Sequence, residues 1–327
     1  MREDRTSLVA RILAHKVLAL LAVCVAVVGL LVVFYYFRDY SETFLERKGT
    51  LVRSDVVSVP SSSSFRKSWL TLANENGFVV QCGVLAPHDS TKKYPAVILL
   101  GGIATGKQAI EYAVGLRNIV LVAVDYPYTP RENYNLAQAV RDLPVIRTAL
   151  LDIVPSALLA VDYVHVRRDV DTERVVLLGY SFGGPFVPAI ASLEHRFAAA
   201  VMAYSGGGLY SLLYHNTRRW EGALASEFVA VSGWLFLRPL EPMRYAEKIA
   251  PTPLVMINGE EDEQIPRSNT ELFFNAAAQP KKIVWLESRH VRPDNVELTK
   301  RIVGVFVDEM IVLRVFDESN RDSSRVE

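Results

Sequence analysis

The chain is 327 residues long, half of them hydrophobic, with 36 lysines and arginines balanced by 36 aspartates and glutamates. A formal charge of zero leaves no net field to draw nucleic acid or an acidic partner, which argues against a nucleic-acid binder. The mean hydropathy of +0.17 is high for a soluble enzyme and points to one segment that adds apolar weight.

That segment is residues 17–37, which carry no charge and, as a helix rising about 1.5 Å per residue, match a hydrocarbon core of about 30 Å. Phe34, Tyr35, Tyr36 and Phe37 followed by Arg38 fit a membrane interface rather than the small-residue cleavage site of a signal peptide. A single membrane anchor through the lipid bilayer is therefore expected, with residues 1–16 as its flank. Arg11, His15 and Lys16 crowd one end of it while Arg38 alone follows the other, which places the N-terminus inside and the large C-terminal part outside the cytoplasm. Of the two cysteines, Cys24 lies in the anchor and Cys82 in a later apolar run, so neither a disulfide nor a metal site is indicated.

After the anchor, residues 38–67 read as a linker with a first strand, and 68–315 as one large domain. Strand-like runs fall at 56–59, 69–72, 78–85, 96–100, 119–124, 175–178, 198–203, 254–257 and 283–286. The pair joined by Asn74, Glu75, Asn76 and Gly77 reads as a hairpin, whereas the later runs are continuous and β-branched, as in a parallel sheet buried on both faces. Helices are expected near 107–116, 149–167, 182–191, 268–278 and 293–315, the fourth opened by a capping box of Ser268 and Glu271. Alternation of these elements predicts an α/β fold with a mostly parallel sheet, an antiparallel start and helices on both faces. The interval 205–252 is too long for a simple crossover, and its Trp220, Phe228, Trp234 and Phe236 predict a helical cap. Residues 316–327 are mostly polar and are expected to be disordered.

The most specific motif is Gly179, Tyr180, Ser181, Phe182, Gly183 and Gly184, set between a strand and a helix. This is the context of a nucleophile elbow, in which the serine sits on a strained turn and the flanking glycines Gly179 and Gly183 avoid collision with neighbouring backbone. A serine hydroxyl needs a base, and the base needs a group that fixes its tautomer. Acidic candidates follow the strand at 254–257: Asp262, with Glu260, Glu261 and Glu263 as rivals, and the spacing from Gly259 and Pro266 favours Asp262. His290 follows the next strand. His165 and His195 sit in a helix and before a strand, His88 precedes the elbow, and His215 falls in the cap.

These motifs resemble the α/β-hydrolase superfamily, nearest in style to dienelactone-hydrolase and prolyl-oligopeptidase-like esterases. The matching residues are Asp171 and Arg174 leading into the elbow, then Gly259, Asp262, Ile265 and Pro266, then His290, and the resemblance covers roughly 68–315. It implies Ser181 as nucleophile, His290 as general base and acid, and Asp262 as orienting carboxylate, without a metal or organic cofactor. The oxyanion hole would use the backbone N–H of Phe182 and one from the loop Gly101–Gly102–Ile103–Ala104–Thr105–Gly106. Matched to the family, Gly101 stands where many members have histidine and Ile103 would be the second donor, with Gly102 as the alternative.

A rival reading takes Gly101, Gly106 and Lys107 as a phosphate-binding loop, but Gln108 stands where a serine or threonine must ligate magnesium. A catalytically silent binding module is the alternative of another class, and a peptidase or acyltransferase would use the same three residues. The favoured expectation is a serine esterase whose small-molecule ester is hydrophobic, its pocket lined by the cap and by Tyr126, Tyr128 and Tyr134.

Overall fold

The computed structural model describes residues 2–60, 65–112, 115–128, 136–292 and 294–321, with backbone alone at 2–12, 136, 137, 139 and 140. The chain divides into two compact units, Met1–Tyr40 and Ser41–Glu327. The first is the helix α1 (Arg2–Phe37), of which Leu13–Phe37 is 25 residues long with a hydropathy of 3.3, enough to cross a membrane. A second apolar stretch, Arg141–Val166, meets the same length criterion but is largely buried, as befits a core helix.

The second unit begins earlier than the sequence implied. Residues expected to be a linker form α2 (Ser41–Lys48) and a full β1 (Leu51–Val59). Phe44 is buried, and Arg47 donates twice to Asp152 of the long helix α3 (Leu136–Val166), at 2.9 and 2.8 Å. The cap of α2 comes from Asn74, whose amide reaches the carbonyls of Arg47 and Lys48 at 3.1 and 3.0 Å. None of these long-range partners is visible in local composition.

β2 (Phe65–Asn74) and β3 (Val79–Pro87) form the expected hairpin, followed by β4 (Tyr94–Leu100), β5 (Val120–Val124), β6 (Val170–Tyr180), β7 (Ala199–Ala203), β8 (Leu254–Gly259) and β9 (Lys281–Leu286). The nine strands make one sheet in the order β1-β2-β3-β5-β4-β6-β7-β8-β9. Pairing is antiparallel from β1 to the β3/β5 contact and parallel thereafter. β4, β5, β7 and β8 are buried at every residue, which is why their sequences run apolar without alternation.

On one face, Val97, Leu99, Val201 and Val255 join Phe306 and Met310 of α8 (Val296–Val312) in the core. The other face is covered by α3 and by α4 (Val187–Leu193). α3 starts thirteen residues ahead of its expected position and carries Pro144 and Pro155 inside it. The insertion between β7 and β8 is a helical cap, α5 (Leu209–Arg218) and α6 (Ala223–Phe236), followed by short 3₁₀ turns.

Two further expectations need correction. The box of Ser268 and Glu271 does not form: α7 (Arg267–Ala276) starts a residue earlier behind Pro266, without a side-chain cap, and Glu271 pairs instead with Arg267 at 2.7 Å. Residues 316–321 of the supposed disordered tail are packed. Phe316 meets Phe306 edge to face at 5.5 Å, and Asn320 donates to the carbonyls of Arg117 and Asn118 at 3.1 and 2.8 Å. Asp317 and Asp171 share Arg174, at 2.9 and 2.7 Å, so that pair ties β6 to the chain's end. Polar side chains here serve as specific backbone and ion-pair partners, which a composition count reads as solvation. Residues 322–327 lie outside the described residues.

Candidate active site

Ser181 stands where β6 ends and a 3₁₀ turn, Ser181–Phe186, leads into α4. Its φ of +49° is left-handed, a conformation that costs a non-glycine residue about 1–3 kcal/mol and persists only where the surroundings enforce it. The glycines two residues either side leave no room for a side chain. A Cβ on Gly179 would lie 2.6 Å from the Gly183 carbonyl oxygen, and one on Gly183 would lie 2.1 Å from the Leu100 carbonyl oxygen of β4.

The loops after β8 and β9 bring Asp262 and His290 to the same end of the sheet, beyond the strand C-termini where α/β folds place their ligands. The loops are stitched together by Glu260 N–H donating to Leu286 O at 2.8 Å and Glu261 N–H to Ser288 O at 3.1 Å. His290 Nε2 lies 2.8 Å from Ser181 Oγ, and Nδ1 lies 2.9 and 2.8 Å from the two Asp262 oxygens. The side chains of His290 and Asp262 are 3% and 0% exposed. Facing only a carboxylate, Nδ1 carries the proton, which leaves the Nε2 lone pair to accept the Ser181 hydroxyl proton. Asp262 is itself held, its Oδ1 accepting the backbone N–H of Gln264 and Ile265 at 2.8 Å each.

The structure thus brings Ser181, Asp262 and His290 into one hydrogen-bonded chain and leaves their rivals elsewhere. Glu260 and Glu261 are exposed. His165 Nδ1 donates to Val161 O at 2.9 Å within α3, and His88 and His195 are exposed. His215, on α5, donates from Nε2 to the Glu263 carbonyl at 3.0 Å.

Two residues that sequence reasoning missed brace the histidine. Glu263 accepts the His290 backbone N–H at 3.0 Å and faces Arg289 and Arg292 at 3.5 Å each. Burial works against its ionisation, but that backbone hydrogen bond, its own N–H and the charge of Arg289 outweigh it and bring its pKa down to about 2. Its position beside Asp262 was the available signal, read there as rivalry rather than support. Tyr204, directly after β7 with φ +51°, packs its ring edge-on to His290 at 5.8 Å and hydrogen-bonds Ser288 Oγ. Burial pushes its phenol up, against the Ser288 hydrogen bond, so it stays neutral beside the imidazole.

Phe182 and Ile103, whose backbone amides were assigned to an oxyanion hole, both line an apolar cavity of about 190 Å³ with Tyr126, Tyr128, Ile146 and Leu150. Tyr134 lies outside the described residues. The Gly101 loop is shaped from within: the Gly102 carbonyl accepts from Thr105 N and Thr105 Oγ1 at 2.9 Å each, and the Tyr126 hydroxyl donates to the Gly101 carbonyl. A Cβ on Gly101 would lie 2.3 Å from Thr105 Oγ1, which explains the absence of a larger residue there. The same loop is no phosphate cradle. Lys107 Nζ is paired with Asp125 at 3.0 Å, and the Asp125 carboxylate also accepts the Lys107 backbone N–H at 3.2 Å.

The sheet order, with the strained serine after β6 and the acid and histidine after β8 and β9, is that of the α/β-hydrolase fold, which this chain has. Residues 127–288 match the model of the dienelactone hydrolase family, a range that includes Ser181 and Asp262 and stops two residues short of His290. Among curated relatives, the chain is 31% identical over 164 residues to "Uncharacterized protein YfhR" of Salmonella typhimurium, covering 50% of this chain and 53% of that protein. It is 25% identical over 146 residues to the Escherichia coli K12 protein of the same name, covering 44% and 47%. The chain thus spans about half the length of the curated relatives it matches. In fold it is similar to acetyl xylan esterase 1 from Thermoanaerobacterium sp., with TM-score 0.61, 16% identity and coverage of 85% of this chain and 93% of that one. An acetyl xylan esterase from Paenibacillus sp. R4 gives TM-score 0.59 at 17% identity, covering 81% and 93%.

Proposed function

We propose that the protein is a membrane-anchored serine esterase that hydrolyses a small or medium hydrophobic ester through an acyl-enzyme. The observation that carries this reading is the continuous hydrogen-bonded chain from Ser181 through His290 to Asp262, closed at 2.8 Å at either end. Ser181 Oγ attacks the ester carbonyl as its proton passes to His290 Nε2, and Asp262 stabilises the imidazolium so formed. The tetrahedral oxyanion is received by the N–H groups of Phe182 and Ile103. Nε2 then returns the proton to the departing alkoxide, leaving the acyl group on Oγ. Water repeats the sequence: Nε2 takes its proton, hydroxide adds to the acyl carbon, and Ser181 leaves with the proton restored.

The dienelactone hydrolase match supports hydrolase chemistry, and the apolar wall of Ile103, Phe182, Ile146 and Leu150 favours a hydrophobic acyl or alkoxy group. Leu13–Phe37, long and apolar enough to cross a bilayer, serves as the anchor, and the basic cluster of Arg11, His15 and Lys16 before it favours a catalytic unit outside the cytoplasm. Fluorophosphonate labelling that disappears in Ser181→Ala, with hydrolysis of nitrophenyl esters of graded chain length, is the expected result. Absence of labelling in folded protein overturns the reading. Protease protection of the C-terminal unit in spheroplasts overturns the orientation alone.

A further inference from the structure

In a helix that merely covers a soluble fold, large apolar residues face inward and polar ones outward. α6 of the cap does the reverse. Its inward side is made of small residues: Ser226 and Ala230 are fully buried, and Gly233 lies so close to Leu213 of α5 that a Cβ would come within 2.7 Å. Its outward side carries Leu224, Phe228 and Val231 at the i, i+4, i+7 spacing of one stripe, 89%, 74% and 44% exposed. Trp220, just before the helix, is 83% exposed. A contiguous exposed stripe of this kind marks an interaction surface.

We infer that this face of the cap docks on the bilayer that α1 spans, seating α6 in the interface and turning the catalytic unit's apolar cavity toward lipid. The inference rests on the anchored-esterase reading and specifies where its substrate comes from: an acyl ester held in, or partitioned into, a membrane.

Three observations select lipid as the occupant. First, only residues 38–40 separate the end of α1 from the start of α2, a tether that reaches at most about 11 Å. The folded unit is therefore held beside any bilayer that α1 crosses. Second, the exposed stripe is headed by Arg218, Arg219 and Trp220, all exposed. Basic side chains complement anionic headgroups and indole prefers the interface. Third, the apolar surface runs on toward the active site. Arg147 of α3 donates to the carbonyl of Phe236, the last residue of α6, at 3.2 Å. Exposed Leu143 and Val145 precede it on α3, and its neighbours Ile146 and Leu150 line the cavity that ends at Phe182. An acyl chain leaving the bilayer along α6 would meet apolar side chains up to the residue that follows Ser181.

The test uses the full chain in vesicles of phosphatidylcholine and phosphatidylglycerol, with Trp69, Trp234 and Trp285 replaced by phenylalanine so that Trp220 reports alone. Lipids brominated along the acyl chains are expected to quench Trp220 by at least about half, as for an interfacial helix seated about 5–10 Å deep. A Trp220 left unquenched by brominated lipid and open to acrylamide overturns the inference. So does cysteine cross-linking of Phe228→Cys between two copies in place of quenching, which assigns the face to a second copy of the chain. In a second arm, Leu224→Glu with Phe228→Glu is expected to leave hydrolysis of a water-soluble nitrophenyl ester unchanged and to lower hydrolysis of a vesicle-embedded long-chain ester by about tenfold or more. Equal rates on the embedded ester overturn it. Fluorophosphonate labelling of the same samples keeps the two readings apart, since lost labelling with quenched Trp220 sinks the esterase and spares the docking.

Discussion

Replacing Asp262 with asparagine asks whether the carboxylate sets the state of the proposed base or only fills space. The side chain is fully buried, with Oδ1 accepting two backbone N–H groups at 2.8 Å and Oδ2 lying 2.8 Å from His290 Nδ1. The two N–H donors pin an asparagine oxygen at the Oδ1 position, because the reversed amide would set donor against donor in a buried site. Its NH₂ then occupies the Oδ2 position and donates to Nδ1. Nδ1 then faces this NH₂ at 2.8 Å as well as the pinned oxygen at 2.9 Å; a proton on Nδ1 would oppose the NH₂ hydrogens, which favours its move to Nε2, the atom 2.8 Å from Ser181 Oγ, at the expense of the lone pair that would receive the serine proton. Loss of the correct tautomer in such a triad lowers kcat about ten-thousandfold, or about 5.5 kcal/mol of transition-state stabilisation. Because volume and both backbone hydrogen bonds are kept, the variant is expected to retain its thermal midpoint. Steady-state hydrolysis of a nitrophenyl ester beside a melting curve measures both. A folded Asp262→Asn variant that keeps more than about a tenth of the wild-type kcat refutes the assignment of Asp262, because a tautomer switch cannot be that mild.

Gly183→Ala is expected to destabilise the fold by about 3 kcal/mol in urea titration, the upper end of overpacking, because its Cβ would meet the Leu100 carbonyl of a central strand at 2.1 Å. Gly102→Ala, whose nearest neighbour would be Tyr180 at 3.6 Å, is its near-neutral control. Glu263→Gln tests the clamp through pH. The carboxyl falls from an ordinary 4.5 to about 2 in the folded chain, so its stabilisation is fully present above about pH 4.5 and is lost as the pH drops toward 2. Wild type is expected to melt above the variant at neutral pH, with the gap closing between about pH 4.5 and 2; a gap independent of pH would assign the loss to packing instead.

The strands and the elbow were legible because each writes its requirement locally: β4, β5, β7 and β8 are buried on both faces and so are apolar throughout, and Ser181 needs its glycines within two residues. What escaped depends on partners far along the chain. α2 reads as linker in the sequence because what fixes it, Asp152 to Arg47 and Asn74 to its last carbonyls, lies 26 to 105 residues away. The tail looked disordered because Asn320 and Asp317 are polar, and only the fold brings Arg117, Asn118 and Arg174 to meet them. Ser268 lost its cap to Pro266, which opens α7 one residue sooner. The site is legible as residue types, while its support is not: Glu263 is one acid among four in the sequence, and only the fold sets its carboxylate against the His290 amide.

That support also joins the cap to the chemistry. The Glu263 carbonyl accepts from His215 at 3.0 Å and from Arg219 at 3.2 Å, and the neighbouring Gln264 carbonyl accepts from Asn216 at 2.8 Å, all three donors on α5 or at its end. The same two loop residues are bound on their other side to the triad, Glu263 through the His290 amide and Gln264 through Asp262 Oδ1. A shift of α5 therefore pulls on the segment that sets the position of Asp262 and His290 together, and displacements of about 1 Å are enough to cost a hundredfold in rate. α5 packs along α6, with Gly233 of α6 set close against Leu213 on the inner side, so these contacts are made within the folded unit and do not depend on what covers the outward stripe. Substitutions on the outward stripe are therefore expected to leave the loop that carries Asp262 in place, which is why the water-soluble ester serves as the control for Leu224→Glu with Phe228→Glu.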